Sequence, residues 1–171
     1  MKLLRAAGLG SIYQVSRAFR GGERGRLHNP EFTLIEWYRP GLDHHGLMDE
    51  VGALLAKQLP RRSKPGSWEK LSYRQLFRDR LGIDPLQCEV GELGQVAESL
   101  GVEVHGDFPW KDKDAWLALL LSTRLQEDLG LDHPVFIYDY PASQAALARL
   151  CPDEPRLAER FELYIGGVEL C

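Results

Sequence analysis

The stretch that decides the fold is Arg17–Gly41, "RAFRGGERGRLHNPEFTLIEWYRPG". Gly21, Gly22 and Gly25 interrupt two runs with strand character, "SIYQVSRAF" before them and "EFTLIEWY" after. In the second run Phe32, Leu34, Glu36 and Tyr38 share one face, and Thr33, Ile35 and Trp37 the other. Both faces are largely apolar, which predicts a central strand. Two strands joined by a glycine-rich turn predict a long antiparallel hairpin. Arginines crowd that turn. Arg20 precedes the glycines, Arg24 and Arg26 follow, and a guanidinium offers forked donors that suit phosphate oxygens. Glu23 is a candidate acceptor from an exocyclic amine, Phe32 offers a face to a nucleobase, and Glu36 would attract an ammonium group. By spacing alone the same residues also suit a solvated turn, and Phe32 and Tyr38 suit a strand core.

Working outward, "MKLLRAAG" reads as a short helix ended by Gly8. Pro40-Gly41 closes the hairpin, and Asp43 is the expected N-cap of an amphipathic helix carrying Leu47, Met48, Val51, Leu54, Leu55 and Leu59. "PRRSKPGS" reads as a surface loop. Ser72 and Gln75 suggest a capping box for a helix through Leu76, Phe77 and Leu81 that stops at Gly82. "VGELGQVAESLG" and "DKDAWLALLLSTRLQEDLG" are further helices, the latter capped near Asp112 or Asp114 and stopped by Gly130. Strand character returns in "PVFIYDYP", then in "AERFELYIGGVEL", which reads as strand, Gly166-Gly167 turn, strand. The block from about residue 42 to 130 reads partly as an insertion into a sheet domain, with later strands over about 134–171. The order favours α+β with an antiparallel sheet over a βαβ fold.

Length and composition bound the rest. A chain of 171 residues suits one domain, or one domain with a small insertion. A net charge of −4 argues against a protein that coats nucleic acid non-specifically. Cys88, Cys151 and Cys171 are odd in number and far apart, so they suggest neither a disulfide framework nor a zinc site, and they suit a reducing cytoplasm. No apolar run approaches the roughly 20 residues needed to span a membrane. The N-terminus is too short and too broken by Gly8 and Gly10 for a signal peptide. His44-His45 reads as a helix cap rather than a metal site.

"FRGGERGRLHNPEFTLIEWYRPG" resembles motif 2 of the class II aminoacyl-tRNA synthetases in its lysyl form. The ending "EWYRPG" is similar to the lysyl-tRNA synthetase paralogues that modify elongation factor P, the elongation factor P–lysine ligases. "SYRQLF", "GIDPL", "PVFIYDYPASQAALARL" and "RLAERFELYIGGVEL" resemble the same family in the same order. The resemblance implies a class II synthetase-like antiparallel sheet with flanking helices. It implies Arg20 on the ATP α-phosphate, where an electrostatic role is needed as charge builds at phosphorus. It implies ATP contacts from Gly21, Gly22, Glu23 and Asn29, with Phe32 stacked on adenine. Gly21 stands where the family commonly has Asn. Glu36 and Tyr38 would line the amino-acid pocket. Glu169, followed by Leu170, would lie near the phosphates and share Mg²⁺ with ATP. Ser143 and Gln144 would shape the pocket.

The expected activity is ATP-dependent activation of lysine or (R)-β-lysine and its transfer to a lysine of elongation factor P, with tRNA not expected as acceptor. The resemblance implies family sequence on both sides of this stretch. Upstream lies the dimer-forming motif 1; downstream lie a second substrate-binding glutamate and motif 3. The expectation is an incomplete sheet, an incomplete site, and weak or no adenylation by this chain alone. Two alternatives remain open: a non-catalytic remnant or subunit, and a fragment of a true lysyl-tRNA synthetase.

Overall fold

The computed structural model describes residues 1–22, 25, 28–58 and 68–171. Glu23, Arg24, Arg26, Leu59 and the expected loop "PRRSKPGS" lie outside the described residues. The chain divides into two compact units, Met1–Asp43 and His44–Cys171.

The first unit is the hairpin. Helix α1 (Lys2–Ala6) ends before Gly8, whose φ of +88° is open to glycine at no steric cost. Strands β1 (Ile12–Phe19) and β2 (Glu31–Tyr38) pair antiparallel in unbroken register, from Ile12 opposite Tyr38 to Phe19 opposite Glu31. The Arg20 amide carries the ladder one step further to the Pro30 carbonyl, at 2.9 Å. Among the described residues β2 pairs with β1 alone, so the expected central strand is one half of a two-stranded ribbon. The two-sided apolar content behind that expectation is not fully buried: Leu34 is 38% and Ile35 50% exposed, and Phe32, Trp37 and Tyr38 are half-buried.

The second unit opens with α2 (His44–Gln58), which begins immediately after Asp43 and buries Met48 and Val51. It contains a four-stranded sheet ordered β3 (Glu69–Ser72), β4 (Val135–Pro141), β5 (Leu157–Ile165), β6 (Val168–Glu169). β4, β5 and β6 pair antiparallel, but β3 pairs with β4 in parallel, Glu69 opposite Val135 and Ser72 opposite Tyr138. The expected α+β fold with an antiparallel sheet is present, and β3 adds one parallel pair at its edge. β3 is four residues long with no alternating pattern, so the sequence signal was absent. Gly166 and Gly167, at φ +61° and +77°, give the two positive-φ positions of a tight hairpin turn between β5 and β6.

Between β3 and β4 run α3 (Tyr73–Leu81), α4 (Val90–Ser99) and α5 (Lys113–Leu120). Ser72 caps α3 by accepting from the Gln75 amide at 3.1 Å, and Gly82 ends it at φ +70°. The reciprocal half of the expected capping box is not made: the Gln75 side chain donates to Asp79 instead. A full box occurs at α4, between Glu89 and Glu92. Asp112 caps α5. The helix predicted to run unbroken to Gly130 changes pitch after Leu120, becoming π-helical at Leu121–Leu125 and 3₁₀ at Gln126–Asp128.

The core lies between this helical block and one face of the sheet. Tyr73, Phe77, Leu93, Trp116, Leu117 and Leu120 pack against Val135, Ile137, Tyr140 and Tyr164. α2 covers the opposite face, where Trp68 stacks on Phe136 and Phe136 meets Phe161 edge-on. A β-bulge between Tyr138 and Tyr140, with Asp139 at φ +57°, breaks the alternation. It turns Tyr140 to the same side as Val135 and Ile137.

Candidate functional site

In the hairpin, the ladder register decides which side chains share a face. Residues directly opposite each other point the same way. Ala18 lies opposite Phe32, Gln14 opposite Glu36 and Ile12 opposite Tyr38. Arg20, paired by its amide to Pro30, continues the same face. Its guanidinium carbon sits 5.9 Å from the centre of the Phe32 ring, within cation–π range. A cation and an aromatic plane are therefore adjacent at the turn end. Gly21 and Gly22 follow, Gly22 at φ +82°, and a Cβ at either would meet nothing within 4 Å. The backbone here is open to close approach by a ligand.

Further along the same face, the Tyr38 hydroxyl donates to Glu36 Oε1 at 3.3 Å. The Tyr38 pKa is raised, first by burial and then by the neighbouring Glu36 carboxylate, so the phenol remains a donor at neutral pH. Phe32 and Glu36 are four residues apart, roughly 14 Å along the strand. The face thus carries a cation and ring at one end and a carboxylate–phenol pair at the other. Asn29 is exposed beside Pro30, and His28 forms a backbone bridge with Gly25, at 3.1 and 3.2 Å. On the opposite face Arg17 pairs with Glu31 at 3.0 Å, an exposed contact worth little.

In the second unit, Glu169 lies opposite Tyr164 and so shares the face of β5 that carries Arg160 and Glu162. Glu169 is exposed; Leu170 donates its amide to the Leu163 carbonyl at 2.8 Å. Sequence reading overlooked the network beside it. Glu162, 7% exposed, accepts from the hydroxyls of Tyr140 and Tyr164, both at 2.6 Å, and from the Arg160 guanidinium. Arg160 also donates to the Gln144 carbonyl at 2.7 Å and lies over the Tyr140 ring at 4.7 Å. Burial pushes both tyrosines well above the ordinary phenol value, and the Glu162 charge adds to it. Ser143 and Gln144, expected to shape a pocket, both donate to Asp114 Oδ1, at 2.9 and 3.0 Å. These groups line a cavity of about 500 Å³ that also includes Glu169 and residues of the π-helical turn. The available signal was "RFELY": Arg160 and Glu162 at i and i+2 of one strand must share a face.

His44, the first residue of α2, faces two carboxylates. Its Nε2 lies 2.9 Å from Asp139 at the bulge and its Nδ1 3.7 Å from Glu159. Cys151 donates to Asp139; burial, and then the Asp139 carboxylate, push the thiol up to about 11. Among the described residues no group of three or more His, Cys, Asp or Glu could hold a metal ion. Glu162 accepts from three donors, and Glu169 is a second carboxylate on the same face. That fits Mg²⁺ held largely through phosphate oxygens better than an all-protein cage. The Arg20–Phe32 pair, with the open glycine backbone beside it, fits a nucleotide by donor type.

The family model of class II tRNA synthetases (D, K and N) matches residues 1–171. The chain belongs to this family. Three curated relatives carry the name elongation factor P–(R)-beta-lysine ligase. The Vibrio cholerae protein is 52% identical, that of Vibrio atlanticus 49% and that of Yersinia pestis 48%, each over 170 residues and 99% of this chain. The chain spans about half the length of these relatives, 51% in each case. Among the described residues no helix is long and apolar enough to cross a membrane.

Proposed function

We propose that this chain carries one wall of an aminoacyl-adenylate site that serves lysine or (R)-β-lysine and a protein acceptor, elongation factor P. The observation that supports it is the single hairpin face on which Arg20 and Phe32 sit together and Glu36 and Tyr38 sit together, roughly 14 Å apart. That order suits an extended aminoacyl nucleotide, with the ring on adenine, the guanidinium on the α-phosphate and the carboxylate–phenol pair toward an ammonium group. The names of the relatives supply the acceptor and the amino acid.

In this reading the amino-acid carboxylate attacks the ATP α-phosphorus and pyrophosphate leaves. Arg20 offsets the charge that builds on the phosphoryl oxygens. No general base is required, because the attacking carboxylate is already ionised and positioning does most of the work. An amine of the acceptor lysine then attacks the acyl carbon, and AMP leaves. Gly21, Gly22 and Asn29 would contact ATP beside Arg20, as would Glu23, which lies outside the described residues. Glu169, with Leu170 next to it, would contribute one carboxylate oxygen to Mg²⁺ shared with the phosphates.

The test is ATP–pyrophosphate exchange dependent on (R)-β-lysine, measured for the chain and for a protein of the relatives' full length. Exchange that is abolished by Arg20→Ala supports the reading. Exchange in the full-length protein that is indifferent to Arg20→Ala would sink it.

A further inference from the structure

Between Leu81 and Trp110 the sequence holds six acidic residues, Asp84, Glu89, Glu92, Glu98, Glu103 and Asp107, and no lysine or arginine. Asp84 is taken by Arg74, with N–O distances down to 2.5 Å. The remaining acids decorate α4 and the segment after it. Along that segment runs a groove of about 660 Å³, walled by Trp110 and Trp116 and by the α4 residues Gly91 and Gly94. The charged residues lining it are Glu98 and Glu103, both carboxylates. Glu103 is 82% exposed, with His105 at 3.2 Å; Arg124, outside the lining, donates to the Gly101 carbonyl at the groove's end.

The floor is built for contact. Trp110, 59% exposed, is held by an aromatic triad: its ring lies 5.6 Å from Trp116 and 5.7 Å from Phe108. The Trp116 indole donates to the Trp110 carbonyl at 3.1 Å, which fixes the backbone carrying the exposed ring. A Cβ at Gly91 would meet nothing within 4 Å, so another backbone can approach there.

We infer that this groove docks an extended basic segment of a protein partner, with a lysine or arginine side chain laid on Trp110 and its charge met by Glu98 and Glu103. An exposed, pre-organised indole flanked by carboxylates suits a cation doubly, through the ring face and through charge. The same carboxylates repel nucleic-acid phosphates. The proposed function enters only in the choice of probe, since a protein acceptor presenting a lysine is the partner that reading requires.

The experiment measures binding of fluorescently labelled Vibrio cholerae elongation factor P to the wild-type chain by anisotropy, at about 20 and 200 mM salt. Trp110→Ala and the double substitution Glu98→Gln/Glu103→Gln are compared with it. The expected result is a loss of roughly tenfold or more in affinity for each variant. The glutamine variant should also lose most of the salt dependence while keeping the wild-type circular dichroism spectrum. Absence of binding to the wild type overturns the inference, as does affinity unchanged in both variants. Equal competition by spermine would assign the groove to small cations and overturn it as well. Amino-acid-dependent pyrophosphate exchange tests the proposed function separately and is independent of these outcomes.

Discussion

Replacing Glu162 by glutamine keeps the side chain's shape and removes its charge. Three donors converge on that carboxylate, the hydroxyls of Tyr140 and Tyr164 at 2.6 Å each and the Arg160 guanidinium. The side chains of Glu162 and Arg160 are 9% and 34% exposed. Breaking a buried pair costs about 3–5 kcal/mol, and hydrogen bonds to a charged group contribute about 1.5–3 kcal/mol each. Arg160 is a third exposed and keeps its bond to the Gln144 carbonyl, so part of its charge stays solvated. Glutamine can also reorient, accepting from Arg160 and donating to a tyrosine oxygen. The expected net loss for Glu162→Gln is therefore about 2–3 kcal/mol, or roughly 5–10 °C in Tm for a chain of this size. Three of the four tryptophans, Trp68, Trp110 and Trp116, lie in the same compact unit, so urea unfolding followed by their fluorescence reports on it. The decisive comparison is a double-mutant cycle between Glu162→Gln and Tyr164→Phe. A loss below about 0.5 kcal/mol, or two effects that add without coupling, refutes the account of Glu162 as the centre of the network.

Arg20→Ala and Arg20→Lys should each lower pyrophosphate exchange in the full-length protein by roughly 100-fold, because a lysine cannot reproduce the forked donor; recovery by lysine would show that charge alone suffices. Gly130→Ala should destabilise by at least about 3 kcal/mol in the same urea assay. The residue has φ +72°, its Cβ would lie 2.4 Å from the Tyr164 carbonyl oxygen, and the bonds to Gly166 and Gly167 from this turn would be strained. Gly91→Ala, in a helix and with no neighbour within 4 Å, should instead stabilise by about 0.5–1 kcal/mol. Asp84 is held below its ordinary pKa, chiefly by the hydrogen bonds from Arg74. Its contribution is then complete above the ordinary carboxylate range and is lost as pH falls through the lower, folded value. Asp84→Asn should cost roughly 1 kcal/mol at pH 7, and the difference from wild type should vanish in acid unfolding titrations.

The hairpin was legible from two runs of strand-forming residues, the glycines between them and Pro40-Gly41 after; the two-sided apolar content of the second run misled about its place in a sheet. The helix ends were equally plain, since Ser72, Gly82 and Asp112 act through their own backbone neighbourhood. Features that depend on distant partners were not. β3 is a strand because β4 lies beside it, and four residues carry no period of their own. Tyr140 reaches the core only through the bulge at Asp139, which alternation cannot foresee. The pitch change after Leu120 follows a run of leucines that any helical template would extend. In the candidate site, motif residues on the hairpin could be named from sequence, whereas the Glu162 network needed two strands and a bulge to assemble. His44 read as a cap because Asp139 and Glu159 are about a hundred residues away.

The parallel pairing of β3 with β4 also constrains how the block of helices α3 to α5 is connected. An insertion hung on an antiparallel hairpin leaves and returns at neighbouring points, and a short turn can replace it. Here the block departs after Ser72, at the far end of β3, and re-enters at Val135, opposite Glu69. Departure and return are offset by three strand positions, roughly 10 Å along the sheet. A parallel pair needs a crossover of a dozen residues or more. The block is therefore the connection itself, and no short turn could take its place and leave β3 where it stands.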